Sequence, residues 1–402
     1  MKTIFSLLFF FSFVVCYAQV QISGEVIGEN NIPLEGASIY LDNTTYGTTS
    51  DDEGKFTLKF RKGNYNLIVS YIGHQTISIQ ITIKDKLDYL TINLIPEVNV
   101  LDEVILKKIV YDKNWDRNFE LFKTAFLGRT KLSKECKILN PKVLYFERSK
   151  DSATFIAEAR SPLIIRHKGL GYLITYDMIK FSIKKGYRLE YLGYSNYKNL
   201  KGGRNKQKRW KKNRLKAFLG SRMHFVRSLR NKTLNEEGFV VHQFKRFINT
   251  ERPSDKEITE ASNLLREKRI ISFGIKIHNP TNAIDSAIVV LQKSKLSKFE
   301  DVVYKKDIPY KDLLTTSEGY ILLRFLDFLS ITYLNEAPEE NYYSRDGSSR
   351  HAQTSTMTML SKYAILDASG KIINPLDVFY EGYWGFEQFA DNLPVDYIPE
   401  NK

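Results

Sequence analysis

Short alternating stretches separated by turn residues open the chain. Val20 to Ile27 alternates through Val20, Ile22, Gly24 and Val26. Further short apolar runs follow at 37–41, 55–60, 65–71, 76–83 and 89–95. The turns between them carry Pro33 and Gly36, Asp51 to Gly54, and Lys62 to Asn64. Strands of about six residues with turns every 8–12 residues predict an all-β sandwich or barrel. Glycine supplies the positive φ that such turns need, and Asp51 and Asp52 can close an Asx-turn.

The period changes after residue 109. Trp115, Phe119, Phe122 and Phe126 recur at helical spacing up to Gly128, which predicts a helix with an aromatic core stripe. Apolar and alternating runs at 143–146, 154–157, 173–181 and 188–192 then predict an antiparallel meander. Residues 198–209 read as a polar loop containing Gly202 and Gly203. Leu215, Phe218, Leu219, Met223, Val226 and Leu229 lie on one face of a helix that follows. Ser254-Asp-Lys-Glu257 is a capping box opening a second helix to about Arg266. Strands are expected again at 270–277, 287–291, 320–328, 331–334 and 357–366. The whole reads as α+β and multidomain, a β-sandwich at 20–95, a linker at 96–108, and a larger, mainly antiparallel β domain with a few helices at 109–402.

Composition narrows the class. The 402 residues are 43% hydrophobic and 26% charged, which excludes a mainly disordered chain. No apolar run of about 18 residues follows residue 20, so no transmembrane helix is expected beyond that point. Residues 1–19 read as a secretory signal: Lys2, an apolar core from Ile4 to Val15, and Ala18 at the cleavage position. The expected location is the periplasm or the outer-membrane periphery. Lipidation at Cys16 is the lesser alternative, because Val15 is not the small residue such sites prefer. Cleavage would leave Cys136 as the single thiol, so no internal disulfide is expected.

The net charge of +14 is local. Fourteen Lys and Arg lie between Lys198 and Lys232 with no Asp or Glu among them, and the rest of the chain balances at 46 against 46. Exposed helices ordinarily mix signs, so this segment reads as an anion-binding surface, a docking surface for an acidic partner, or a solvated helix face with a loop.

Ile22-Ser-Gly-Glu-Val26, Pro33-Leu-Glu-Gly-Ala37, Thr48 to Phe56 and Gly63 to His74 resemble the carboxypeptidase regulatory-like domain. The resemblance implies a transthyretin-like (prealbumin-like) β-sandwich without catalytic activity. Such domains are common in exported Bacteroidetes proteins and in the N-terminal extensions of TonB-dependent receptors. Leu101-Asp-Glu-Val-Ile105 is similar to the segment that follows the domain in those receptors. The second half resembles a Bacteroidetes group that carries the same N-terminal domain and has no established biochemical role. That likeness rests on Cys136 to Pro141, Leu170 to Tyr176, Trp210 to Arg214, Gly220 to Leu229, Gly382 to Phe386 and Leu393 to Tyr397.

The function expected is non-catalytic binding in the cell envelope through the basic segment at 198–232. Lys211, Arg214, Arg222, Arg227 and Arg230 are the expected contacts. The expected partners are anionic lipid, lipopolysaccharide, an acidic glycan or an acidic envelope protein, and not nucleic acid. No metal or cofactor is expected, since no His starts a His-x-x-Glu motif, and His74 reads as a turn residue. The alternatives are a hydrolase of envelope glycans or peptides and a structural partner of an outer-membrane assembly. Ser221 and His224, three apart, are the hydrolase candidates, though without a nucleophile elbow. Cys136 reads as a buried structural thiol. Tyr380, Tyr383, Trp384 and Phe386 read as packing residues, with sugar binding as the alternative.

Overall fold

The computed structural model describes residues 19–82, 89–96, 109–149, 153–184, 188–271, 275, 277–342, 351–367 and 369–400. The expected leader up to residue 18, with Cys16, and the segment Leu101–Ile105 lie outside them, and Gln19 already belongs to a strand. The architecture is α+β, with mainly antiparallel sheets and a few helices.

The chain forms two compact units that interleave along the sequence. The first gathers residues up to 116 with 138–166 and 172–201. The second gathers 117–137, 167–171 and everything from 202.

Within the first unit, β1 (Gln19–Ile27), β2 (Ser38–Leu41), β3 (Gly47–Thr49), β4 (Lys55–Arg61), β5 (Asn64–Ser70), β6 (Ile77–Thr82) and β7 (Leu90–Asn93) make a sandwich. One sheet runs β4-β1-β7 and the other β3-β2-β5-β6. β1 pairs antiparallel with β4 and parallel with β7. Alternation places Ile22, Val26, Phe56, Leu58 and Phe60 inside against Ile39, Leu41, Leu67 and Val69.

The meander consists of β8 (Cys136–Ile138), β9 (Leu144–Arg148), β10 (Thr154–Ala159), β11 (Leu163–His167), β12 (Tyr172–Lys184) and β13 (Arg188–Asn199). Its order is β8-β11-β12-β10-β9, with β13 also on β12. The turn after β2 joins sandwich and meander. Asn43 N donates to Ser195 O at 2.7 Å, and Ser195 N donates to Asp42 Oδ1 at 3.0 Å.

The second unit is built on a five-stranded antiparallel sheet, β15-β14-β18-β19-β21, with β14 at Phe239–Ile248, β15 at Phe299–Lys305, β18 at Phe328–Tyr333, β19 at Gln353–Met359 and β21 at Val378–Gly382. A smaller sheet runs β16-β17-β20, made of Leu314–Ser317, Tyr320–Leu323 and Ala364–Leu366. The core gathers Phe225, Val226, Leu229, Phe239, Leu329, Ile331, Met357 and Trp384. The α-helices of the described residues are α1 (Lys113–Leu127), α2 (Arg204–Phe218), α3 (Arg222–Asn231), α4 (Asp255–Glu267), α5 (Ala283–Lys293) and the single turn α6 (Tyr383–Phe386). α4 begins at the expected capping box. Phe126 of α1 stacks on Phe389 at 4.5 Å between centroids.

Three expectations are corrected. Residues 204–209 are helix and not loop, and the basic segment forms two helices and not one. Gly220, at φ +74°, turns the chain between them, and Ser221 restarts it as the N-cap of α3. Residues 287–291 belong to a helix and not a strand. Asn282 caps α5 by accepting from Asp285 N, and Ala287 and Ile288 pack against Ala261 and Leu265 of α4. A run rich in Ile and Val mimics a strand, and the cap is the signal that separates the two. The run 320–328 breaks at Arg324–Asp327, where Asp327 has positive φ. The strand expected at 270–277 falls partly outside the described residues, and those described there are not in a strand.

Candidate functional site

The basic segment divides its cations between two tasks. On its inner side α2 holds four consecutive backbone carbonyls. Arg209 Nη2 and Trp210 Nε1 donate to Lys168 O at 3.0 and 2.7 Å, and Asn213 Nδ2 donates to Gly169 O at 2.8 Å. Arg214 reaches Leu170 O from Nε at 2.8 Å and Gly171 O from Nη2 at 3.4 Å. A Cβ on Gly171 would lie 2.3 Å from the Trp210 ring, so glycine is what lets the indole seat there.

α3 makes a second clamp, on the end of the chain. Arg227 donates to Ser369 O, Tyr397 O and Val395 O at 2.7, 2.9 and 2.9 Å, and lies over the Phe218 ring. Its burial lowers the guanidinium pKa, against which the nearby Asp396 acts. Arg222 donates to Asn392 Oδ1 at 2.9 Å and covers the Tyr380 ring. Arg230 donates to Leu366 O at 3.1 Å. Trp384 Nε1 donates to Gly220 O at 2.8 Å.

Four of the five expected contact residues, Arg214, Arg222, Arg227 and Arg230, are therefore half-buried and bonded to the protein's own chain. Lys211 is exposed and pairs with Glu400 at 2.7 Å. These clamps join segments far apart in sequence: 210–214 with Leu170 and Gly171, and 220–229 with 382–386 and 393–397.

The outer side of α2 is different. Arg204, Lys208 and Lys212 there are exposed and make no ion pair among the described residues, and Lys206, about half a turn round the helix on the side of Trp210, is likewise exposed and without an ion pair among them. Arg209, Lys211 and Lys216 pair with Glu135, Glu400 and Glu336. Arg204, Lys208 and Lys212 recur every four residues, so they share a face and repel one another. α2 also begins badly by its own energetics. Gly203 gives no side-chain cap, and the first turn holds no acidic residue. Arg204 and Lys206 set positive charge at the positive end of the helix dipole. The sequence reading missed this face because it assigned 198–209 to a loop. The four-residue spacing of the cations was the available signal.

The Ser221–His224 pair is a cap and not a nucleophile with its base. Ser221 Oγ accepts from His224 N at 3.2 Å and donates to Phe218 O at 2.6 Å. The imidazole is engaged elsewhere. Gly220 N donates to Nδ1 at 3.1 Å, which leaves the proton on Nε2 to bond Glu237 Oε2 at 3.0 Å. His224 is 2% exposed and packs against Phe218, Phe239 and Tyr333.

Other titrating groups sit near the chain end. His167 is buried, accepts from Leu170 N on Nδ1 and bonds Ala390 O through Nε2 at 2.8 Å. Burial lowers its pKa to about 4. Burial raises Glu387 well above the carboxylate range and pushes Asp391 up to about 7. Asp391 Oδ2 accepts from Gln388 N at 3.2 Å, so it serves a local turn. Burial also raises the Cys136 thiol, with help from Asp391 and Glu135. Tyr383 and Trp384 are buried, and Phe386 and Tyr380 pack edge-on to Tyr342 and Trp384. His74 lies in a turn against the Tyr71 ring. Among the described residues no three His, Cys, Asp or Glu are grouped to hold a metal ion, and no helix is long and apolar enough to cross a membrane.

Residues 22–106 match the CarboxypepD_reg-like domain. A TonB-dependent receptor of Formosa agariphila is 32% identical over 102 residues, which are 25% of this chain and 10% of the receptor. The match thus spans about a tenth of that curated relative. Among solved structures, a putative membrane-associated protein of unknown function from Bacteroides fragilis aligns over 90% of this chain and 93% of its own, at 8% identity and a TM-score of 0.16. A DUF3823 family protein from Bacteroides ovatus aligns over 46% of this chain and 83% of its own, at 9% identity and a TM-score of 0.17.

Proposed function

Because residues 22–106 match the CarboxypepD_reg-like domain, we propose that this chain is a non-catalytic component of the cell envelope whose α2 holds an anionic, phosphate-bearing surface. The envelope assignment is supported by the likeness of its N-terminal quarter to a TonB-dependent receptor. The observation that carries the binding site is the outer face of α2. Arg204, Lys208 and Lys212 stand on it exposed without ion pairs among the described residues, on a helix with neither cap nor first-turn acid. Such a helix is less stable than its sequence need make it, and a bound anion offsets that loss.

The apolar side of α2 is occupied. Trp210, Ala217 and Phe218 are buried in the protein, so the helix offers charge and does not insert. Attachment is peripheral and electrostatic. Near an anionic lipid surface each Lys or Arg contributes about 1 kcal/mol, so the three on this face contribute about 3 kcal/mol, roughly a hundredfold in partitioning. Of the residues first expected, Lys211 joins this face, and the four arginines hold the fold beneath it.

The test is binding to vesicles of anionic phospholipid and to lipopolysaccharide, with neutral vesicles as control, across a salt series. The comparison is a variant with Arg204, Lys206, Lys208 and Lys212 all replaced by Gln. The expected result is binding that weakens steeply with salt and is lost in the variant. Binding that is indifferent to salt, or retained by the variant, overturns the site.

A further inference from the structure

The outer face of α2 has a shape as well as a charge. Every four residues the helix advances about 6 Å and turns about 40° beyond a full circle. Arg204, Lys208, Lys212 and Lys216 therefore form one row that winds slowly along it. The first three make no ion pair among the described residues and span about 12 Å. Lys216 ends the row on Glu336, at 3.4 Å.

The row is bordered by carboxylates. Arg209 lies about 100° round the helix from Lys208 in one direction, and Lys211 about 60° in the other. Arg209 pairs with Glu135 at 3.4 Å and Lys211 with Glu400 at 2.7 Å. The Glu135 and Glu400 side chains are 36 and 72% exposed. An acidic group thus stands on either flank, and a third at the far end. The unpaired positive charge is a narrow strip and not a broad patch.

That strip selects among anions. A flat layer of phosphates laid on it would also press against Glu135 and Glu400, and like charges repel. The same layer would have to meet three cations spread over an arc of about 80°. A single flexible strand satisfies both conditions. It can follow the winding row, meeting a cation at each step of about 6 Å, without reaching the flanks. α2 itself carries no Asp or Glu to interrupt it.

We infer that this face takes an extended phosphate-bearing polymer, one strand lying along Arg204, Lys208 and Lys212. The inference rests on the anion-binding reading of α2 and names what that site holds, phosphates arriving in single file. Counterions condensed on such a strand are released on binding, so the salt dependence counts the cations engaged.

Titration of the full chain with inorganic polyphosphate of graded length tests it. Phosphate and diphosphate serve as short probes, and phosphatidylglycerol vesicles as the flat one. Affinity should rise steeply with length until the chain reaches from Arg204 to Lys212, about 12 Å. The slope of log affinity against log salt should be about −2, and Arg204→Gln, Lys208→Gln or Lys212→Gln should each bring it about 0.7 nearer zero. The exchange Gln207→Lys/Lys208→Gln keeps the net charge, uses two exposed positions and moves the middle cation about 100° off the row. It should weaken polyphosphate binding about fivefold, one cation's share, and leave vesicle binding unchanged. An exchange without effect on polyphosphate overturns the inference, as does diphosphate binding as tightly as the long chain. Vesicles bound with polyphosphate refused overturn it too, while leaving the anion-binding reading of α2 in place. Binding to none of these probes overturns both.

Discussion

Gly370 has no side chain where Arg227 needs the space: a Cβ there would lie 2.3 Å from Arg227 Cγ. The guanidinium passes over this turn to the carbonyls of Ser369, Val395 and Tyr397. Arg227→Gln removes most of these donors and leaves partly buried carbonyls unpaired. Charged hydrogen bonds of this kind carry about 1.5–3 kcal/mol each, and the expected loss is about 3 kcal/mol overall after relaxation. Denaturant unfolding measures it. The α2 variant with four Gln should instead unfold at the same denaturant concentration or a slightly higher one, since it relieves repulsion. Equal losses in the two would erase the distinction between clamp and surface.

Gly203 is the N-cap of α2, extended at φ −66° and ψ 170°, with open space where a Cβ would stand. Gly203→Asp should add a cap and a negative charge at the positive end of the helix, stabilising the protein by about 0.5 kcal/mol. The same charge should weaken binding to anionic vesicles. Thermal unfolding and vesicle partitioning, measured together, should move in opposite directions.

Gly220 sits at φ +74°, and a Cβ there would meet Gln353 Oε1 at 2.6 Å and the Tyr333 ring at 2.7 Å. Gly220→Ala combines a left-handed backbone with a clash, at a cost of about 2–4 kcal/mol. Thermal unfolding should show a lowered midpoint, and a variant as stable as the parent would mean that α2 and α3 join differently.

Two groups beside one another in sequence contact should tilt the pH profile in opposite senses. His167 bonds Ala390 O, next to Asp391. The folded pKa of His167 is lowered to about 4, so between about 6.5 and about 4 the unfolded chain takes up a proton that the folded chain refuses. Stability from this group falls as pH drops through that window, by about 3 kcal/mol at full extent. Asp391 is pushed up to about 7. From its ordinary value near 4 up to about 7 the folded chain keeps a proton that the unfolded chain has released. Stability from this group falls as pH rises. His167→Gln should remove the loss on the acid side, and Asp391→Asn the loss toward neutral pH. Denaturant midpoints between about pH 4 and about pH 8 test both.

Local pattern carried much of the fold. Alternation between Val20 and Ile95 was enough for six of the seven sandwich strands, because a period of two puts every second side chain in one core regardless of the rest of the chain. The capping box at Ser254 placed the start of α4 for the same reason: both partners lie within one turn. The run 287–291 is harder. Its Ile and Val suit a strand, the Asn282 cap upstream marks a helix, and packing on α4 selects the face that is buried.

The sequence by itself determined that the excess charge lies between residues 198 and 232 and that a sandwich opens the chain. Which cations face solvent was decided by tertiary structure alone. Arg227 finds carbonyls 142 to 170 residues away, and Arg214 finds carbonyls 43 and 44 residues back. A guanidinium and an ammonium count alike in a charge sum. A planar group with five donors, however, can satisfy several buried carbonyls at once, whereas a point charge on a flexible stem favours water. That difference acts only once distant segments have folded together, and it sorts one basic run into clamps beneath and an open face above.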